Sequence, residues 1–189
     1  MNIIKSVNEF VRNLENTNRP NDGSRTLLES ILVPEVGLAF NDWVSNDIKN
    51  CVLIGGLALS YYIKPRTTTD MDVLFIKSED VPLSVNKFKK HRNLAFQHNL
   101  THVEVEVLTP KSINVPTSVA QIVFNTAVVK NNIKIASPSG LVALKLFRFN
   151  RQDQADIENL IECTDIDLTP FDLSKEMIEK YEEIKKDIK

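Results

Sequence analysis

Residues 51–76 read CVLIGGLALSYYIKPRTTTDMDVLFI, and the rest of the chain is organised around them. The apolar run Cys51–Ile54 has the length and composition of a buried strand. Gly55 and Gly56 follow, then an apolar segment, Leu57–Ile63, long enough for two helical turns. Pro65 ends that helix, because proline cannot continue the hydrogen-bond ladder and biases the residue before it away from helix. Arg66, Thr68, Asp70 and Asp72 come next, leading into a second apolar strand, Val73–Ile76. In an extended chain the i, i+2 spacing of Asp70 and Asp72 puts both carboxylates on one face.

Two such charges roughly 4 Å apart repel by about 4 kcal/mol at an effective dielectric of about 20. A divalent cation removes that cost, and hard cations such as Mg²⁺, or Mn²⁺ in its place, take carboxylate oxygens. Glycines entering a helix expose backbone N–H groups where phosphate binds well. Taken singly, the glycines are a tight turn and the aspartates are solvated strand-edge charges. Together, in this order, they point to nucleotide chemistry.

Gly55-Gly56 followed by Arg66-x-Thr68-x-Asp70-x-Asp72 and an apolar strand resembles the signature of the DNA polymerase β-like nucleotidyltransferase superfamily. The Arg-x-Thr-x-Asp-x-Asp form is most similar to its AbiEii-like branch, which includes toxins of toxin–antitoxin and phage-defence systems. The resemblance covers roughly residues 50–162. It implies an α/β (α+β) chain of the nucleotidyltransferase fold, a mixed sheet flanked by helices with N- and C-terminal helical additions. The expected division is residues 1–49 as N-terminal helices, 50–136 as the catalytic core and 137–189 as a C-terminal helical region.

Further site residues follow from the same resemblance. The segment Thr101–Leu108, THVEVEVL, alternates cleanly, with Val103, Val105 and Val107 on one side and His102, Glu104, Glu106 and Leu108 on the other. The superfamily takes a third metal-binding carboxylate from such a neighbouring strand. Glu104 and Glu106 share a face and either could serve, but an acidic residue before an apolar pair fits Glu106-Val107-Leu108. The late segment Ser137-Pro138-x-x-Leu141-x-x-x-Lys145-Leu146 also resembles the family. Alone, Lys145 reads as a lysine whose stem lies along apolar surface; the resemblance implies that it faces nucleotide phosphates. Arg151-x-Asp153-x-x-Asp156-Ile157 is a second match, with Gln152 where lysine is common. Asp153 and Asp156 share a helical face, and Asp156 is a candidate to position Lys145 or the acceptor.

The expected activity is transfer of an NMP from an NTP to an acceptor, with release of pyrophosphate. Asp70, Asp72 and Glu106 would hold Mg²⁺, while Gly55, Gly56, Arg66, Thr68 and Lys145 would bind the nucleotide. RNA, tRNA included, or protein is the acceptor the resemblance suggests, and an antitoxin protein is the partner. Two other classes stay open: a non-catalytic binding partner with this fold, and a transferase that modifies a small molecule such as an antibiotic.

The remaining sequence bounds these readings. A net charge of −2 gives no bulk attraction to nucleic acid or to an anionic membrane. The two cysteines, Cys51 and Cys163, fit no metal or redox spacing and read as buried thiols. No apolar run approaches a membrane span, and the start, MNIIKSVNEF, lacks a signal-peptide core, so a cytoplasmic, membrane-free protein is expected. Helical spacing is found over residues 1–16, Ser24–Leu32 with a restart near Glu35, Asn41–Asn50, Leu83–Leu100, Gly140–Phe149 and Thr169–Lys189. Lys87, Lys89, Lys90, His91 and Arg92 make the Leu83–Leu100 segment basic, as on a solvated face. Thr117–Ile135 reads as β structure, with Asn131-Asn132 at a hairpin turn. Trp43 is expected in the core.

Overall fold

The computed structural model of the protein describes residues 34–63, 68–92, 94–130 and 133–188. The helices expected over residues 1–16 and 24–32, and Arg66, lie outside them. Seven strands form one mixed sheet in the order β3-β4-β5-β2-β1-β7-β6. They are β1 (Cys51–Ile54), β2 (Asp70–Phe75), β3 (Phe88–Arg92), β4 (Ala95–His98), β5 (Glu104–Leu108), β6 (Val128–Lys130) and β7 (Ile133–Ile135). Among the described residues six α-helices accompany them: α1 (Pro34–Val44), α2 (Gly55–Leu59), α3 (Thr117–Asn125), α4 (Pro138–Arg148), α5 (Arg151–Cys163) and α6 (Lys175–Asp187). This is the α/β mixed-sheet architecture expected of the nucleotidyltransferase fold.

The centre of the sheet is β1 and β2, paired antiparallel, with β5 parallel to β2 and β7 parallel to β1. Their apolar residues make the core: Val52, Leu53, Met71, Val73, Leu74, Phe75, Val105 and Val107 are all nearly inaccessible. The helix α4 follows the Ser137-Pro138 start that the sequence marks. The Ser137 hydroxyl accepts from the Gly140 N–H at 3.2 Å, and Pro138 occupies the first turn. It packs on α2, α3, α5 and α6. Its end is set by Phe149, which takes the left-handed conformation at φ 48° and turns the chain straight into α5. At the start of α5, Asn150 and Asp153 form a reciprocal capping box.

Three local expectations are corrected. Leu83–Leu100 is not a helix but contains the hairpin β3–β4. Its apolar residues find partners across the fold instead of along a helix: the Phe88 and Phe96 rings lie 5.5 and 5.9 Å from Trp43, which is buried as expected. Thr117–Asn125, within the segment read as β, is the helix α3, with Val119, Ala120 and Val123 buried at helical spacing. Only the hairpin β6–β7 is β there. Asn41–Asn50 is not a separate helix. Its first residues finish α1, which starts near Glu35 as expected, and left-handed Asp47 and Asn50 break the chain before β1. Of the two cysteines, Cys51 is buried, but Cys163, in the last turn of α5, is exposed.

Candidate active site

The register of the central strands decides which carboxylates meet. Asp70 pairs with Glu104 and Asp72 with Glu106 across β2 and β5, and Asp72 pairs with Ile54 on β1. Residues directly opposite in a ladder share a face, so all four acidic side chains project from one side of the sheet, opposite the buried Met71, Val105 and Val107.

Within that row the side chains divide into two sets. Asp72 is half-buried, and its carboxyl is pushed up to about 7 by burial, by the negative charges of Asp70 and Glu106, and by a hydrogen bond that the protonated form donates to Glu106. The positive charge of Arg148 acts the other way. Asp70 is exposed and turns to Thr68, whose hydroxyl donates to Asp70 Oδ1 at 3.0 Å. Glu104 faces the other flank, with its Oε2 3.6 Å from His91 Nε2 and 3.8 Å from Arg92 Nη2 on β3. The two glutamates that the sequence leaves as alternatives therefore have different surroundings: Glu106 lies beside the Asp72 carboxyl, and Glu104 lies beside His91 and the Arg92 guanidinium.

Gly55 is fixed by the same cluster. It adopts φ +67°, and a Cβ placed there would lie 1.7 Å from Asp72 Oδ2. The room left by the missing side chain is filled by the Asp72 carboxyl. Gly56 is buried in the first turn of α2.

The late residues come together as a second polar cluster where α4 meets α5. Lys145 is 7% exposed, and its ammonium donates to Asp156 Oδ2 at 2.6 Å and to Asp153 Oδ1 at 3.2 Å. Both aspartates are buried. Gln152 Nε2 donates to the other oxygen of Asp156 at 3.0 Å, so the amide standing where lysine is common still serves that carboxylate. Burial works to raise the Asp153 carboxyl, but the Arg148 hydrogen bond and the Lys145 charge outweigh it and hold it below the usual carboxylate range. Arg151 opens α5 in an exposed position. Sequence reasoning missed Arg148. The signal was available: it stands three residues after Lys145, the spacing of neighbours on one helix face.

The donor set of Asp70, Asp72 and Glu106 is all oxygen and anionic, the chemistry that a hard divalent cation takes. The side chains as they stand bring two of the three together. Among the described residues no group of three histidine, cysteine or acidic side chains converges as a ready metal site. Also among the described residues, no helix is long and apolar enough to cross a membrane.

Comparison with known proteins adds one match. The family model described as a nucleotidyltransferase of unknown function (DUF6036) aligns with residues 41–188, a span that takes in the acidic row, α4 and α5. A search of curated proteins gave no match.

Proposed function

The chain belongs to that nucleotidyltransferase family, and on this premise we propose that it transfers an NMP from an NTP to an acceptor oxygen in a Mg²⁺-dependent reaction. The observation that carries the reading is the pairing of Asp72 with Glu106 beside Asp70, where burial first and then the charges of Asp70 and Glu106 raise the Asp72 carboxyl to about 7. Such a row is costly without a counter-charge, and its oxygens suit Mg²⁺. Asp70, Asp72 and Glu106 would hold the ion, which when bound supplies charge neutralisation on the triphosphate and a more acidic acceptor oxygen.

The remaining work falls to the chain itself. Thr68 steadies Asp70 by donating to Oδ1, and Gly55 makes room for the Asp72 carboxyl. Glu106, opposite Asp72 in the ladder, is proposed to take the proton of the acceptor hydroxyl. Asp153 and Asp156 hold Lys145 at the α4–α5 junction. Gly56 and Arg66 are proposed to contact the nucleotide, as the resemblance implies.

The finer identity proposed is an AbiEii-like toxin with RNA, tRNA included, or protein as acceptor and an antitoxin as partner, working in the cytoplasm. Incubation with each labelled NTP, Mg²⁺ and total tRNA or total protein should label one pool. The double change Asp70→Ala/Asp72→Ala should abolish that label, and undiminished transfer by the variant would sink the metal assignment. Expression of the wild type should arrest growth and expression of the double variant should not; normal growth with both removes the toxin role. The second reading, a non-catalytic binding partner, draws on the absence of three converging metal-binding side chains among the described residues. It predicts no label in any pool.

A further inference from the structure

Arg148 ends α4 with its side chain 67% exposed, yet its guanidinium is fixed in orientation. Nε donates to Asp153 Oδ2 and Nη2 to Asp153 Oδ1, both at 2.7 Å, and Asp153 is fully buried. This side-on pair leaves both N–H groups of Nη1 and the outer N–H of Nη2 without a hydrogen-bond partner among the described residues. A planar fork held from behind, with its other edge open to solvent, matches two oxygens of one phosphate or of adjacent phosphates.

Two further observations direct that open edge. The helix α4 that carries Arg148 packs on α2, and α2 opens at Gly55, directly against the Asp72 carboxyl. The fork thus sits on a helix that adjoins the acidic row through α2. Lys145, the phosphate ligand expected from the resemblance, is buried with its ammonium between Asp153 and Asp156. Between these two cations, open donors are found on Arg148.

We propose that Arg148, oriented by the buried Asp153, is the clamp for the terminal phosphates of the nucleotide, and that Lys145 serves to hold the Asp153–Asp156 platform behind it. This rests on the nucleotidyl-transfer reading above. The role calls for arginine itself: lysine would keep the charge opposite Asp153 but lose the second edge of the fork. Asp153 acts through Arg148 and is a positioning residue.

The test is calorimetric binding of a nucleoside, its monophosphate and its triphosphate, for each of the four bases, to the full chain with Mg²⁺. Wild type should bind one triphosphate more tightly than its monophosphate. Arg148→Lys should weaken triphosphate binding by about 10- to 100-fold, the loss expected for charge-assisted hydrogen bonds, and leave monophosphate binding unchanged. Arg148→Gln, whose amide can still donate to Asp153, should do the same if the lysine variant is poorly folded. Equal weakening of monophosphate and triphosphate, or unchanged triphosphate binding, would leave Arg148 a structural partner of Asp153 and overturn the clamp without touching nucleotidyl transfer. A folded wild type that binds no triphosphate overturns both.

Discussion

A Cβ added at Gly55 would collide with Asp72 Oδ2 at 1.7 Å, and the backbone there is left-handed at φ +67°. Left-handed backbone costs an L-residue about 1–2 kcal/mol before any clash. Gly55→Ala should therefore lower the thermal midpoint and also displace the Asp72 carboxyl, so that activity falls further than stability does; melting and NMP transfer measured on the same sample check this. Asp72 carries a pH signature. Its carboxyl is pushed up to about 7 in the folded chain, against 3.8 for an ordinary aspartate. Between these values the folded state binds the extra proton. This group's contribution is thus fully present below about pH 4 and is lost as pH rises to about 7, an effect on the order of a few kcal/mol. Asp72→Asn should flatten that part of the stability–pH curve. Adding Mg²⁺ at pH 8 should stabilise wild type and not Asp72→Asn. Thermal melts from pH 4 to 8, with and without Mg²⁺, read both effects. At this scale the acidic row was legible, because the i, i+2 spacing on β2 and the alternation of β5 fix which faces the carboxylates share. The distinction between Glu104 and Glu106 was not legible. It depends on His91 and Arg92, and these reach Glu104 only because Lys89 and Gln97 bring β3 and β4 alongside β5.

The junction of α4 and α5 is the element on which the late residues depend. Phe149 in the left-handed region reverses the chain within two residues, and the capping box of Asn150 and Asp153 starts the next helix at once. This turn sets Asp153 and Asp156 against Lys145. Asp156→Ala removes the nearer partner of a buried ammonium and strands charge in the interior, a change worth about 3 kcal/mol of stability. Chemical denaturation should show that loss with no change in the slope of the transition. A charge-neutral double change, Lys145→Met with Asp156→Leu, should recover part of it. The ion cluster was half visible in the sequence, as two aspartates three apart and one lysine in an apolar helix. The two elements misread locally, β3–β4 and α3, show why local pattern has limits. Phe88 and Phe96 become strand residues because Trp43 on α1 offers them a surface. The β-branched residues Thr117, Val119, Ile122 and Val123 look like a strand until Val119, Ala120 and Val123 are seen to be buried together on one helical face.

Across the whole molecule, the order β3-β4-β5-β2-β1-β7-β6 places the carboxylate-bearing strands near the centre of the sheet, with covered neighbours on both sides. Hydrogen exchange should be slowest at Val52, Leu53, Val73 and Leu74, which lie on inner strands and are 0–2% exposed, and fast at the edge strands β3 and β6. Exchange measured by NMR would contradict this fold if the β3 amides were the most protected. The fold class was legible because strand, glycine pair, helix and strand come in immediate succession. The pairing of β1 with β7 was not, since it joins Leu53 to Ile135 across most of the sheet-forming sequence. That pairing has a consequence for how the protein is made. Gly55, Asp72 and Glu106 leave the ribosome well before Arg148 and Asp153, and β1 stays an open edge on one side until Ile133–Ile135 arrives. Contacts so distant in sequence form slowly. The growing chain therefore carries its acidic residues for some time without the sheet and helices that align them, and the ability to act should switch on late and abruptly, once α5 has emerged and docked.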